Sequence, residues 1–330
     1  MRLEEFDYEL PPERIAQLPI EPRDAARLLV DRGSEPPDHR TVADLPDLLH
    51  PGDVVVVNDS KVLPARLRLR RATGGAVEVL LLEELGSGTW EALVRPARRL
   101  RDGEDLLDGD GLTVATVVGR TAAGDTFRIQ LQHPESLDRI GEMPLPPYIT
   151  TRLDRPERYQ TVYARQPGSA AAPTAGLHLT PELIERLREL GVAVHAVELA
   201  VGLDTFQPVS APDPLEHHMH SERYRVPEAT WEACRSARRV AAVGTTSVRA
   251  LESAAVTGEL HGRTELFLHR GSTFHVVDLL LTNFHLPRTT LLMMIDAFIG
   301  PRWRDLYDTA LAEGYRFLSF GDAMLLDRHR

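Results

Sequence analysis

The sequence predicts an α/β fold accompanied by a smaller all-β segment, and three observations predict it. Short strand patterns separated by Gly- and Asp-rich turns fill residues 61–147. From "PLPPYI" (144–149) onward, strands alternate with helical patterns, the signature of an α/β sheet. Ahead of both, "GDVVVVND" (52–59) is a β-branched run that reads as a fully buried strand. A chain of 330 residues has length for roughly two domains and a sizeable core.

In order along the chain, residues 1–60 carry a Pro-rich entry, "FDYELPPERIAQLPIEPRDAARLLV", and then the buried strand. "ARLRLRR", "AVEVLLLEEL", "WEALVRP", "GLTVATVVG" and "DTFRIQLQ" follow as five short strands whose even spacing fits a small barrel or a sandwich. Three later junctions share one design of polar loop into helix. "GSAAAPTAGLHLTPELIERLRELG" (168–191) is stripped of bulk, places His178 two residues before a Thr180 cap, sets Pro181 at the first helical position and ends on Gly191. "VAAVGTTSVRALESAA" (240–255) runs strand, Gly/Thr/Ser loop, helix, and "VVDLLLTNFHLPRTTLLMMIDAF" (276–298) repeats this with Asn283, His285 and Thr289. Ligands of open α/β sheets bind beyond the carboxyl ends of the strands, so these loops are the expected site.

Composition narrows the function classes. Hydrophobic content of 42% and charged content of 26% are those of an ordinary globular protein. The acidic start "MRLEEFDYEL" has no apolar stretch of a secretory leader, and no run approaches the ~18 apolar residues of a spanning helix. No membrane association is expected, and the cytoplasm is the expected location. Cys234 is the only cysteine, which excludes internal disulfides, cysteine zinc sites and iron–sulfur clusters. Every basic residue is arginine except Lys61, so a Schiff-base mechanism would rest on that one side chain. A net charge of −11 argues against coating nucleic acid while leaving room for a local RNA-gripping patch.

Arg249 is the most informative charge. Read as lying in the first turn of its helix, it faces the unfavourable end of the macrodipole, and an anion on the Thr245, Thr246 and Ser247 amides would offset that; a solvent-facing arginine is the alternative. His178 and His285 both precede helix N-termini, which favour the neutral ring, though either could be a hydrogen-bonded structural histidine. "DPLEHHMHSERY" (213–224) gathers Glu216, His217, His218, His220 and Glu222. A metal is the tempting reading, but adjacent histidines point to opposite sides of an extended chain and no HExxH spacing is present. His220 and Glu222, one strand period apart, form a candidate acid–base pair.

Residues 61–101 carry a local charge of +5 in the acidic chain. Arg66, Arg68 and Arg70 alternate along one strand, and Arg95, Arg98, Arg99 and Arg101 follow, forming either a solvated barrel surface or a phosphate-binding face. No GxGxxG joins a strand to a helix, and no GK[ST] loop, GxSxG elbow or kinase set occurs.

Taken together, "FDYELPPERIAQLPIEPRDAARLL", "GDVVVVNDSKVLPARL", "GEMPLPPYI", "ERYQTVYARQPGSAAAPTAGLHLT", "MHSERY", "VGTTSVRALES", "LLTNFHLPRTTLLMM" and "YRFLSFGDAMLL" resemble, in order and across almost the whole chain, the S-adenosylmethionine:tRNA ribosyltransferase-isomerase family of queuosine biosynthesis. "VGLDTFQPV" departs from the pattern with Asp204 where the family has glycine, so that loop's geometry is not carried over. The resemblance implies an α/β main domain with a mixed, barrel-like sheet, formed by residues 1–60 and 148–330 and interrupted by an inserted all-β, barrel-like smaller domain at 61–147. It implies transfer of the ribosyl group of S-adenosylmethionine to the aminomethyl nitrogen of a 7-deazaguanine at the tRNA wobble position. Adenine and methionine leave, and epoxyqueuosine forms in the tRNA. S-adenosylmethionine is then a substrate, and no cofactor or metal is expected.

That chemistry needs a base beside the sulfonium, an acid for departing adenine, and polar groups for the ribose hydroxyls and the methionine carboxylate. His178 or His285 is the expected base, with His220 and Glu222 as a second pair. Arg249 with Thr245, Thr246 and Ser247 is expected to hold an anion, either that carboxylate or a tRNA phosphate. Asn58, Lys61, Thr174, Gly176 and Asn283 are expected to line the same crevice. Arg66, Arg68, Arg70, Arg95, Arg98 and Arg99 are expected to meet the anticodon loop, since RNA recognition favours unstacked bases. The expected unit is a monomer. The rival reading is a metal-dependent small-molecule hydrolase built on His217, His218 and His220; a non-catalytic RNA-binding module comes third.

Overall fold

A computed structural model describes the whole chain except residues 34, 122, 123, 125, 203–208, 210–212, 218, 220 and 330 and the side chain of Arg99. The chain divides into two compact units, one of residues 1–60, 147–166 and 173–330, the other of residues 61–146 and 167–172.

The larger unit is built on a nine-stranded mixed sheet. Its strand Val54–Asn58 is buried at every position, which is what a run of four β-branched residues requires when both neighbours are parallel strands. Those neighbours are Ala193–Leu199 and Val240–Val243, and the latter pairs in parallel with Leu279–Asn283. Beyond these, Ala323–Asp327 pairs antiparallel with Leu279–Asn283 and in parallel with Arg27–Asp31, and antiparallel pairs carry the sheet to its His261–Thr264 and Asp38–Thr41 edges. The barrel-like character expected for this sheet is therefore not seen, because it runs edge to edge.

One face of the sheet packs Val55, Val57, Ala241, Val243, Leu279 and Leu281 against Leu183, Ile184 and Leu187 of the helix Pro181–Glu189. Each of these valine, leucine and isoleucine side chains contributes about 1.5–3 kcal/mol by leaving water. Thr180 caps that helix as its sequence predicts, accepting from the Leu183 amide at 3.0 Å. The helix Thr290–Ile299 is buried nearly all round, and its Asp296 is held by Arg270 and the Trp303 indole nitrogen. No helix among the described residues is long and apolar enough to cross a membrane.

The smaller unit contains a closed, all-antiparallel barrel of six strands. Five are those read from the alternation: Arg66–Arg71, Ala76–Gly86, Thr89–Arg95, Thr113–Arg120 and Phe127–Leu131. The sixth, Asp105–Leu107, is three residues long and too short for a period-2 signal.

Candidate active site

Strands Val240–Val243 and Leu279–Asn283 are parallel with Val243 opposite Leu281, so their carboxyl ends open on the same side. The turn Thr174–His178 packs against this end. Gly244, at φ +85°, follows the first strand and starts the helix Thr245–Thr257; a Cβ there would lie 3.6 Å from Ala175 Cβ and 3.6 Å from Thr246 Oγ1. Asn283 ends the second strand and links the turn to it. Its Oδ1 accepts from Thr174 Oγ1 at 3.0 Å, while its Nδ2 donates to His178 Nε2 at 3.1 Å and to the Leu318 carbonyl at 3.2 Å.

The Leu318 carbonyl can only accept, so it fixes which end of the Asn283 amide carries the N–H groups. His178 Nε2 must then be an acceptor. The neutral ring accordingly carries its proton on Nδ1, and His178 is one of the residues that line a cleft.

His178 is buried, and burial pushes its imidazole down to about 4, with the charges of Arg316 and Arg23 acting in the same direction. Burial takes His285 down to about 3. The expected neutrality is present, but its cause is desolvation rather than a helix end. Both rings titrate near 6.5 when unfolded, so the unfolded chain binds more protons below that pH. The stability each contributes is complete above the unfolded value and is lost as pH falls toward the folded one, by up to ~1.4 kcal/mol per pH unit per ring. Urea titrations from pH 7 to 4.5 should give His178→Asn a flatter acid slope than wild type. Equal slopes would show that the ring titrates normally.

His285 goes elsewhere. Its Nε2 meets Thr282 Oγ1 at 3.0 Å, and its backbone N–H donates to Tyr307 Oη at 2.9 Å. Neighbouring residues of a strand project to opposite faces, so Thr282 and Asn283 send their histidine partners to different sides of the sheet.

Arg249 departs from expectation twice. The helix begins at Thr245, which puts Arg249 in the second turn, and only 4% of it is exposed. Its anion is internal: Nη1 pairs with the Glu222 carboxylate, and Nε donates to the Leu266 carbonyl at 3.2 Å. Glu222 also accepts from the Gly202 amide at 3.0 Å, so this buried carboxylate serves Arg249 and the backbone. Arg249 Nη2 and Thr246 Oγ1, one helical turn apart, are buried and have no hydrogen-bond partner among the described residues. Ser247 is satisfied internally, donating to the Val243 carbonyl at 2.8 Å.

The other expected residues are also placed. Asn58 is fully buried and its amide is consumed, donating to the Leu199 carbonyl and accepting from the Ser60 hydroxyl and the Ser60 and Leu199 amides. Lys61 is an exposed residue of the smaller unit. Gly176 is small because Tyr163 needs the room; a methyl group there would meet Tyr163 Oη at 1.9 Å. Asp204, His218 and His220 lie outside the described residues, and among those described no group of three or more His, Cys, Asp or Glu is arranged to hold a metal.

In the smaller unit, Arg68, Arg70 and Arg95 line an open groove with Glu78 and Pro96. Arg68 is also paired with Glu142 at 2.9 Å, both exposed. Arg98 is exposed, Arg66 is half-buried and donates to the Leu145 carbonyl, and the Arg99 side chain lies outside the described set.

Sequence reasoning missed Arg23, Arg158 and Ser319, which line the cleft beside His178. Arg23 and Arg158 sit in Pro-rich or irregular stretches, and only the family-like phrases "EPRDAARLL" and "ERYQTVYA" mark them out.

The chain matches the family described as queuosine biosynthesis protein over residues 3–326. It is 51% identical to the S-adenosylmethionine:tRNA ribosyltransferase-isomerase of Symbiobacterium thermophilum, over 99% of this chain and 100% of that one. Against the protein of the same name from Thermus thermophilus the identity is 52%, over 98% and 99%. A crystal structure of S-adenosylmethionine tRNA ribosyltransferase from Thermotoga maritima is similar at 39% identity and a TM-score of 0.56, covering 98% of this chain and 99% of that chain.

Proposed function

This chain belongs to the queuosine biosynthesis family of S-adenosylmethionine:tRNA ribosyltransferase-isomerases, and on that premise we propose that it transfers and isomerises the ribosyl group of S-adenosylmethionine onto the aminomethyl group of 7-aminomethyl-7-deazaguanine at the tRNA wobble position. Epoxyqueuosine-tRNA, adenine and methionine are the products. The observation that carries the site is the Thr174–Asn283–His178 chain of hydrogen bonds at the carboxyl ends of two parallel strands. It holds an uncharged donor beside small residues, where a cationic sulfonium nucleoside can enter without repulsion from an imidazolium.

The geometry supports a different role for His178 from the base expected of it. Its Nε2 lone pair is engaged by Asn283, and what it offers the substrate is Nδ1–H. We assign that N–H to a ribosyl oxygen, where it stabilises charge that develops as the sugar rearranges. We assign Thr246 Oγ1 and Arg249 Nη2, unpaired among the described residues, to further polar groups of the nucleoside. Arg249 is already neutralised by Glu222, which fits uncharged hydroxyls better than the anion first expected there. We place Glu222 and Asn58 in structural roles, and His285 at the Tyr8–Tyr307 corner behind the sheet.

The reaction so written needs no resident cofactor or metal, and we place it in the cytoplasm with the enzyme acting as a monomer. The hydrolase reading is not favoured, since Glu222 of the same stretch is committed to Arg249. S-adenosylmethionine labelled in the ribose, incubated with tRNA carrying the aminomethyl-deazaguanine, should transfer its label to the tRNA. Label placed in the methyl group should stay with methionine. Methyl label in the tRNA would overturn the assignment.

For the RNA, we propose the barrel groove of Arg68, Arg70 and Arg95 with the neighbouring Arg98. Charge reversal at Arg68 and Arg98 should weaken tRNA binding and lower its salt dependence, because each lost phosphate contact removes roughly one unit of slope. Unchanged binding in both variants would assign another surface to the RNA.

A further inference from the structure

Beside His178 the larger unit has a small cleft of about 20 Å³ whose polar lining includes Arg23, Arg158 and Ser319. Arg23 Nη1 donates to the Gln160 and Leu177 carbonyls, both at 3.1 Å, and among the described residues no carboxylate is paired with it. Arg158 is buried; its Nη2 donates to the Ile20 carbonyl at 2.9 Å, and its Nε lies 2.8 Å from the exposed carboxylate of Glu21. His178 also lines the cleft, while the Ser319 hydroxyl is taken up by Tyr148 at 2.8 Å. Burial and the charge of Arg158 pull the Arg23 guanidinium down to about 10, the signature of a cation short of counter-charge.

The charged side chains that line this cleft are two arginines, so positive charge prevails there. Such a lining selects an acceptor that is itself an anion, and a guanidinium fork matches a planar carboxylate. Leu177 and Phe320 wall the cleft and keep it narrow, which suits the end of a small molecule better than a polynucleotide backbone.

We propose that this cleft binds the carboxylate of the methionine portion of S-adenosylmethionine, with Arg23 as its principal partner. The inference rests on the functional reading above. It also gives the substrate a direction: the carboxylate lies at Arg23 and the ribosyl group comes beside His178.

The test uses the full-length enzyme without tRNA, S-adenosylmethionine and its decarboxylated analogue, and titration calorimetry. Losing one charge-assisted pair should weaken binding by about tenfold or more. Wild type should therefore prefer S-adenosylmethionine over the analogue by that margin. Arg23→Gln should lose the preference, binding S-adenosylmethionine more weakly while the analogue changes less than about twofold. Arg23→Lys, which keeps the charge, should recover part of the difference. Equal weakening of both ligands by Arg23→Gln would make Arg23 merely structural and overturn the proposal. So would unchanged S-adenosylmethionine binding, and a tRNA affinity that fell in its place would identify the anion as a phosphate. Failure of wild type to bind S-adenosylmethionine at all would instead overturn the functional reading.

Discussion

His178→Ala should lower single-turnover adenine release, at saturating S-adenosylmethionine and tRNA, by roughly 10²–10³-fold, the usual effect of losing one preorganised donor to a developing oxyanion. Nε2 is held by Asn283, which leaves the Nδ1–H as the group assigned to the substrate. The informative comparison is His178→Asn. Nδ1 is attached directly to Cγ, as the amide nitrogen of asparagine is, so this substitution returns an N–H to nearly the same place. It should recover at least about tenfold over the alanine variant, which a lost base could not. Asn283→Leu acts through the same ring by releasing Nε2, so the double variant Asn283→Leu with His178→Ala should be no slower than His178→Ala alone. Additive losses would separate the two residues. An asparagine variant as slow as the alanine one would return His178 to proton transfer.

Breaking the Arg249–Glu222 pair should produce the largest loss of stability. Both side chains are almost fully buried, with 5% and 6% exposed, so removing one strands the other charge in the interior. Arg249→Met or Glu222→Leu alone should each destabilise by about 3–5 kcal/mol, lowering Tm by roughly 6–20 °C. The double variant should regain most of that, because apolar replacement of a whole buried pair is often neutral. Its activity should stay low, since Arg249 Nη2 is assigned to the nucleoside. A double variant as unstable as either single one would mean that Glu222's bond to the Gly202 amide matters more than the ion pair. Full activity in the double variant would remove Arg249 from the site.

Local patterns in the sequence carried much of this architecture. Four valines in a row could only be an interior strand, the barrel strands alternate openly, and Thr180 with Pro181 announces its helix. Of the three polar junctions where the site was expected, two meet through Asn283 and His178. What stayed hidden depends on contacts between distant residues. Arg249 looks free until the strand Glu222–Arg225 brings Glu222 to it from 27 positions away. The small residue at 176 looks like space for a ligand until Tyr163 is seen to occupy it. Asn58 looks like a ligand group at a strand end, yet it closes a turn onto Leu199. His285 shares its motif with Asn283, but the two-residue period of a strand separates their sides. Arg23 carries no periodic signal, because its partners at 160 and 177 come together only in the folded chain.

The most direct measurement is a crystal structure of this enzyme with S-adenosylmethionine bound. The carboxylate should lie on the Arg23 guanidinium, a ribosyl oxygen should come within hydrogen-bond reach of His178 Nδ1, and the Asn283–His178 contact should be intact. Substrate lodged on another surface, or a His178 ring turned so that Nδ1 meets Asn283, would contradict that arrangement.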